Sequence, residues 1–331
     1  MQASQVTMKV SFKIIMIVFT CVLIGSCDSI KNNHFLNTYT KKKIDHHVSQ
    51  TSYCAPPIPY VYDSSYIPLA DIKPILQFDT LLAKKYSYED LLIANATGTL
   101  LLLQDLSHLE EKNTTDNLIY TLIKKQKIFN RLLLASTEVA SLAAELDCES
   151  ERSKQLASYL DEINDTRVQR FTILSVITGA ITTVATLGNN TTKGQIVVGV
   201  TGSIISAVFG SLAAISSHQS IQFNHHRNLL ADVWYEHKTS VYYPPFIWFI
   251  LQGKEFNNTR QNSSFHNIKE RWINEAMVDT TKKKQIELYF GLGGKYHADD
   301  LHTRTNMINQ LKAEVRSVNQ HLQSLMLKLS A

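Results

Sequence analysis

His218 and His225 stand two helical turns apart, and His46–His47 and His225–His226 form adjacent pairs, so metal binding and proton transfer are the first chemistries to weigh. Adjacent histidines on a helix point in different directions. No cysteine or carboxylate completes a ligand set at a recognisable spacing, so no metal site is expected. Titration remains open to His218, His225 and His226, with His237 further on, because they follow directly on a long apolar segment. Gly291-Leu-Gly-Gly-Lys295 has the residue types of a phosphate loop without its spacing or its strand-and-helix setting, and reads as a turn between helices. The paired carboxylates Glu110-Glu111 and Asp299-Asp300 fall at helix ends, where capping and solvation account for them. There is no Gly-x-Ser-x-Gly elbow and no spacing that argues for a Cys–His pair. These patterns predict no catalytic residue, cofactor or small-molecule substrate, and no enzyme.

The segment beside those histidines is the most unusual in the chain. Between Arg170 and Arg227 the only formal charge is Lys193. It lies in the polar turn Gly188–Gln195, which separates two apolar runs, Phe171–Leu187 and Ile196–Ile215. Each run is long enough to cross a hydrocarbon core as a helix, the first only just. A short turn would return the chain to its starting side, giving a hairpin over residues 171–215. Its first arm would insert Phe171, Ile173, Leu174, Ile177, Gly179, Ile181, Val184 and Leu187. The second would insert Ile196, Val198, Gly199, Gly202, Ile205, Val208, Phe209, Gly210 and Leu212. Small residues let helices approach closely in lipid, which gives the glycines a purpose. Two alternatives stand beside insertion: a hairpin buried inside a large soluble bundle, and a β-hairpin favoured by the Ile, Val and Thr content. Insertion is preferred because buried soluble helices seldom lack charge for so long.

At the amino end, Lys9 and Lys13 precede the apolar stretch Ile14–Ile24, so residues 1–26 read as an export signal. Leu23-Ile-Gly-Ser-Cys27 resembles the lipobox of bacterial lipoproteins, with an aliphatic residue three before the cysteine. That resemblance implies acylation of the Cys27 thiol and cleavage before it. An ordinary signal peptide cut near Ser26 is the alternative. Export into an oxidising compartment would allow the other two cysteines outside the signal, Cys54 and Cys148, to form a disulfide. Asn-x-Ser/Thr sequons begin at Asn95, Asn113, Asn164, Asn189, Asn190, Asn257 and Asn262, and most are read as accidents of a chain rich in Asn, Ser and Thr.

The elements that must carry the hairpin are helical. Residues 27–80 form a polar tether followed by a Pro-rich extended strap from Cys54 to Pro74. Residues 81–170 hold the long helices of the body. From Thr99 to Thr178 there is neither Gly nor Pro, and a break near Asn113–Asp116 divides the region into helices of about 25 and about 55 residues. Residues 216–331 hold the returning helices: one to Ser240, a loop at Tyr242–Leu251, another over Ile268–Tyr289, and a final heptad helix. That last seam, Leu301, Ile308, Leu311, Val315, Val318, Leu322, Leu325 and Leu329, is interrupted only by Arg304. The predicted fold is all-α, an elongated antiparallel helical bundle with a Gly-rich hydrophobic hairpin. With 44% apolar and 19% charged residues the chain is that of a folded protein, and a net charge of +4, or +2 once Lys9 and Lys13 are subtracted, gives no reason to expect nucleic acid.

This layout, a long helix from Asn117, the hairpin, a returning helix from Ser216 and a late helix to Leu329, is similar to that of the α-helical pore-forming toxins of the cytolysin A and haemolysin BL type. The resemblance implies a hairpin packed on the body in the soluble form, which swings into a target membrane as protomers assemble. The partners expected are therefore a lipid membrane and either further copies of the chain or helical proteins. Location would be the cell envelope or surface, lipid-anchored or secreted. A structural envelope lipoprotein whose hairpin docks on or anchors in a membrane complex is the alternative function. A viral or cell-surface glycoprotein with an internal fusion segment is a third.

Overall fold

A computed structural model describes residues 54–56, 61–112, 115–188, 191–216, 219–275 and 277–330. The expected export signal, Cys27, the tether, His46–His47 and His218 lie outside the described residues. The protein is all-α, with one small ribbon of two strands. Short helices α1 (Lys73–Phe78), α2 (Thr80–Lys85), α3 (Tyr88–Ala96) and α4 (Leu100–Lys112) lead into α5 (Thr115–Leu187). The chain then turns back through α6 (Thr192–Ser216) into strand β1 (Ser220–Asn224). Helices α7 (Leu229–Tyr235), α8 (Pro245–Gln252), α9 (Ser264–Asn274) and α10 (Lys283–Phe290) follow, then strand β2 (Gly293–His297) and helix α11 (Ala298–Ser330).

Helix α5 sets the scale. Its 73 residues extend about 110 Å at ~1.5 Å per residue. Along its first part Ile128, Leu132, Val139, Leu142 and Leu146 are buried, and so is the α11 seam from Leu301 to Leu329. The two helices run antiparallel, as their cross-links show: Lys312 Nζ and Arg316 donate to Asp147 at 2.5 and 3.0 Å, Ser150 Oγ to Asn309 at 2.9 Å, and His302 meets Asp161 at 2.8 Å. The one polar residue in the seam, Arg304, is as buried as its apolar neighbours. Its guanidinium donates to the Tyr289 carbonyl at 3.0 Å and lies 3.4 Å from Asn228 Oδ1, while the Asn228 amide reaches the Tyr289 and Gly291 carbonyls. Burial lowers the Arg304 pKa from its ordinary value, and these acceptors offset the desolvation. The heptad exception is thus the point where α11 reads the end of α10.

Several expected boundaries move. Gly98, at φ +65°, ends α3 in a left-handed turn, so the region before the Asn113 break holds two helices rather than one. Helix α5 does not stop at the apolar run but continues through it. Instead of one returning helix to Ser240, α6 ends at Ser216 and Ser220-Ile-Gln-Phe-Asn224 forms β1, because polar and apolar residues alternate there with a period of two. The glycine turn after Phe290 passes into β2, which pairs antiparallel with β1 from Ser220↔His297 to Asn224↔Gly293. Tyr242–Leu251 is not all loop, since Pro245 occupies the first position of α8 and the helix buries Phe246, Ile247, Trp248, Ile250 and Leu251. The helix expected over Ile268–Tyr289 is two, α9 and α10, separated by the Asp279 turn.

The strap lies on α5 and α3. Cys54 and Cys148 form a disulfide across a sequence separation of 94. Further along, Arg131 Nη1 donates to the Ser65 carbonyl at 3.1 Å and Nη2 to its hydroxyl at 2.8 Å, and Arg131 also reaches the Gly98 carbonyl. Asn95 holds the Leu69 backbone from both sides, at 3.0 and 2.9 Å, and is thereby buried and withdrawn from glycosylation. A Cβ at Gly98 would meet the Ser65 carbonyl at 2.2 Å, so the strap seats only on a glycine. Beneath it Glu138 and Tyr62 line a cavity of about 90 Å³ together with Glu145 and Arg227. Arg227 forks onto Glu145 at 2.5 and 3.2 Å, whereas Glu138 is buried beside the Tyr62 hydroxyl, with no basic partner among the described residues. Burial, partly opposed by Tyr62, pushes the Glu138 carboxyl up to about 7.

A folded-state pKa raised from 4.5 to about 7 means that the stabilisation from protonated Glu138 is complete below about pH 4.5 and lost as pH rises through about 7. Glu138→Gln should therefore match wild type in thermal denaturation at about pH 4 and exceed it at about pH 8 by up to ~3 kcal/mol. Equal stability at alkaline pH would show that Glu138 is not strained there. Replacing Cys54 and Cys148 by serine should lower unfolding free energy in urea by about 4–5 kcal/mol, as expected for so long a closed loop.

Candidate membrane-inserting hairpin

Past Arg170, among the described residues, α6 is the element that accompanies α5. The two arms are antiparallel: Ser175 and Ser206 exchange hydroxyl-to-carbonyl hydrogen bonds at 3.2 Å in both directions, with their hydroxyls 3.0 Å apart. Higher up, Gly202 faces Thr182 and Gly199 faces Thr186. Gly202 is the closest point. A Cβ there would fall 1.8 Å from Thr182 Oγ1 and 2.6 Å from its Cβ, too near for the threonine to give way by rotation alone.

The outer surface of this pair is apolar and bare. None of the apolar window of α5 is buried, and 11% of that of α6. Val184 and Leu187 are 72% and 79% exposed, and Ile173, Leu174, Ile177, Ile181, Ile196, Val208 and Leu212 also face outward. Phe171, Val198, Gly199, Ile205 and Phe209 are half-buried along the line between the arms, and Gly202 is buried in it. Gly179 and Gly210 have open space where a side chain would project. Val176, Val197, Val200 and Ile204 belong to the outward face as well, although their sequence positions did not single them out. The heptad offset between Ile204 and Ile205 could have separated them: once Gly202 is taken as the contact point, Ile204 turns away.

The hydroxyls on this surface are spent within their own helices. Thr178 donates to the Leu174 carbonyl, Thr182 to Thr178, Thr183 to Gly179, Thr201 to Val197, Ser203 to Gly199 and Ser211 to Ala207, all at 2.7–2.9 Å. The segment is helical rather than a β-hairpin despite the β-branching of its Thr, Ile and Val residues, and the back-bonds satisfy the threonine hydroxyls within that helix. They also leave few polar atoms in want of water. Charge appears only at the two ends, with exposed Arg167 and Arg170 below Phe171 and exposed Lys193 in the first turn of α6.

Among the described residues no body element covers the hairpin, so they do not show the alternative of a hairpin buried inside a bundle. The pairing of His218 with His225 on one helix fails, because His225 follows β1. His225 is buried, donating to or accepting from the Tyr296 hydroxyl at 2.8 Å, and burial, then Arg304 and Arg152, hold its pKa well below the ordinary value. His226 is exposed. Among the described residues no group of His, Cys, Asp or Glu is arranged to hold a metal ion. No protein-family model, curated protein or solved structure matches the chain.

If Gly202 is what brings the arms together, cysteines at positions 175 and 206 should cross-link readily under mild oxidation. Adding Gly202→Leu should reduce that cross-link several-fold while leaving the thermal transition of the body unchanged. Undiminished cross-linking would remove the close-approach argument.

Proposed function

We propose that this chain is a membrane-active helical protein that inserts residues 171–215 into a bilayer as a two-helix hairpin, with the α5–α11 body remaining outside. One observation carries the reading: both arms are long and apolar enough to span a membrane, and their apolar side chains are uncovered. In water, burial of that surface is worth about 25 cal/mol per Å², a driving force that the bare hairpin leaves unused. The internally bonded hydroxyls lower the cost of lipid around the helices. Arg167 and Arg170 then lie at one interface, and Lys193 crosses to the other. Disulfide formation between Cys54 and Cys148 supports an oxidising location for the body, and so export.

Two forms of this function differ in the step after insertion. Assembly of protomers into a permeabilising pore is supported by Thr183, Thr201, Ser203 and Ser211, which give the exposed surface a hydroxyl-bearing component suited to lining water or contacting another hairpin. A standing anchor for an envelope protein is supported by the absence of any body segment covering the hairpin among the described residues, since insertion then needs no release step.

Vesicle flotation and dye leakage separate them. Wild type should float with phosphatidylcholine vesicles, and replacement of 171–215 by a short polar linker should abolish this. Ile204→Asp should weaken insertion by about 3 kcal/mol, roughly a hundredfold, because its side chain faces lipid. Leakage that accompanies flotation identifies the pore. Flotation with intact vesicles identifies the anchor. A wild-type protein that is folded but does not float refutes insertion.

A further inference from the structure

Lys295, the end of the glycine segment that resembled a phosphate loop only in composition, is brought by the ribbon to a place its sequence position does not reveal. Strand β2 packs on α10, with the Tyr296 hydroxyl donating to the Leu288 carbonyl and a Cβ at Gly294 only 3.3 Å from the Leu288 side chain. Lys295 consequently shares an open depression of about 670 Å³ with Lys282, Lys283 and Lys284 at the start of α10. Lys282 meets Asp279 at 3.2 Å, but among the described residues Lys283, Lys284 and Lys295 have no acidic partner. The one carboxylate lining the depression, Asp300, is already engaged: it accepts from the His297 N–H at 3.0 Å and the Tyr289 hydroxyl at 3.2 Å.

We infer that this depression binds a multiply charged phosphate. Four lysines from two elements line the depression, and three of them have no acidic partner among the described residues, an unbalanced positive charge that a compact polyanion offsets and a singly charged one offsets poorly. Lysine binds phosphate as a flexible point charge, without the planar fork by which arginine selects carboxylates, so clustered phosphate oxygens suit this set. Leu288 is the one apolar residue in the lining, although carbon makes up most of the exposed wall, and the wide mouth suits a hydrated group rather than a buried ring. Clustered phosphate oxygens occur both in free polyphosphates and in phosphomonoester lipid headgroups.

The test uses the full-length protein. By calorimetry at low ionic strength, wild type and the control Lys154→Ala should bind inorganic tripolyphosphate, with affinity falling as salt is added. The double variant Lys283→Ala/Lys295→Ala should bind about tenfold more weakly, the loss of two exposed charge pairs. All three lysines are exposed, so folding is expected to survive and is checked by circular dichroism. In flotation, a gain from adding phosphatidic acid to phosphatidylcholine vesicles that disappears in the double variant assigns a headgroup. Tripolyphosphate binding without such a gain assigns a free anion. The calorimetric arm stands whether or not the hairpin inserts. Absence of tripolyphosphate binding to wild type, or equal binding by the double variant, overturns the inference.

Discussion

The structure depends on the seam between α5 and α11. Most of the stability of a helix in water comes from packing its apolar face rather than from propensity, and α11 buries that face of the 73-residue α5 over the part that belongs to the body. The remaining elements are arranged around this pair. Helix α3 is fastened at the far end, where Ser87 and Asp90 cap each other's backbone and Asp90 also takes the Lys328 ammonium from the last turn of α11. The strap is fastened to α5 by the disulfide and by Arg131. The α7–α10 segment closes the other side through Trp234 stacked on Phe290 and Trp248 against Phe265.

Where the seam ends, the character of α5 changes without any change in its backbone. Up to Asp161 and its contact with His302, the helix packs on α4 and α11; past Arg170, among the described residues, its partner is α6. The same ladder of backbone hydrogen bonds serves both halves. What differs is the solvent each was composed for: the first half alternates buried apolar and solvated charged positions, and the second has no charge to solvate.

Much of this was legible in the sequence because helical periodicity and charge patterning are local. The α11 seam was read residue by residue, and the hairpin followed from the missing charges between Arg170 and Arg227. Features that depend on distant partners were not legible. Ser220–Asn224 alternates too briefly to announce a strand without β2 to pair with, and the left-handed turn at Gly98 matters because Ser65 and Arg131 arrive there from elsewhere. Arg304 looked like a flaw in a heptad until Asn228 and the Tyr289 carbonyl were in place around it. The exposure of the hairpin was equally hidden, since composition alone suits a buried hairpin and a bare one alike. Which cationic side chains share a surface is likewise a property of folding: Lys295 and Lys282–Lys284 meet only because β2 doubles back on α10.

The unbroken passage of α5 from body to hairpin has a mechanical consequence. With no proline, glycine pair or loop at the junction near Arg170, there is no hinge, and the hairpin and the body must turn together as one lever. Membrane helices commonly lean about 20° from the bilayer normal, and over the ~80 Å of α5 on the body side such a lean displaces the distal end sideways by about 30 Å. Were the hairpin inserted as proposed, a small change in bilayer thickness would thus be magnified into a large sweep of the α3–α4 end, and a load applied at that end would act on the lipid as a torque.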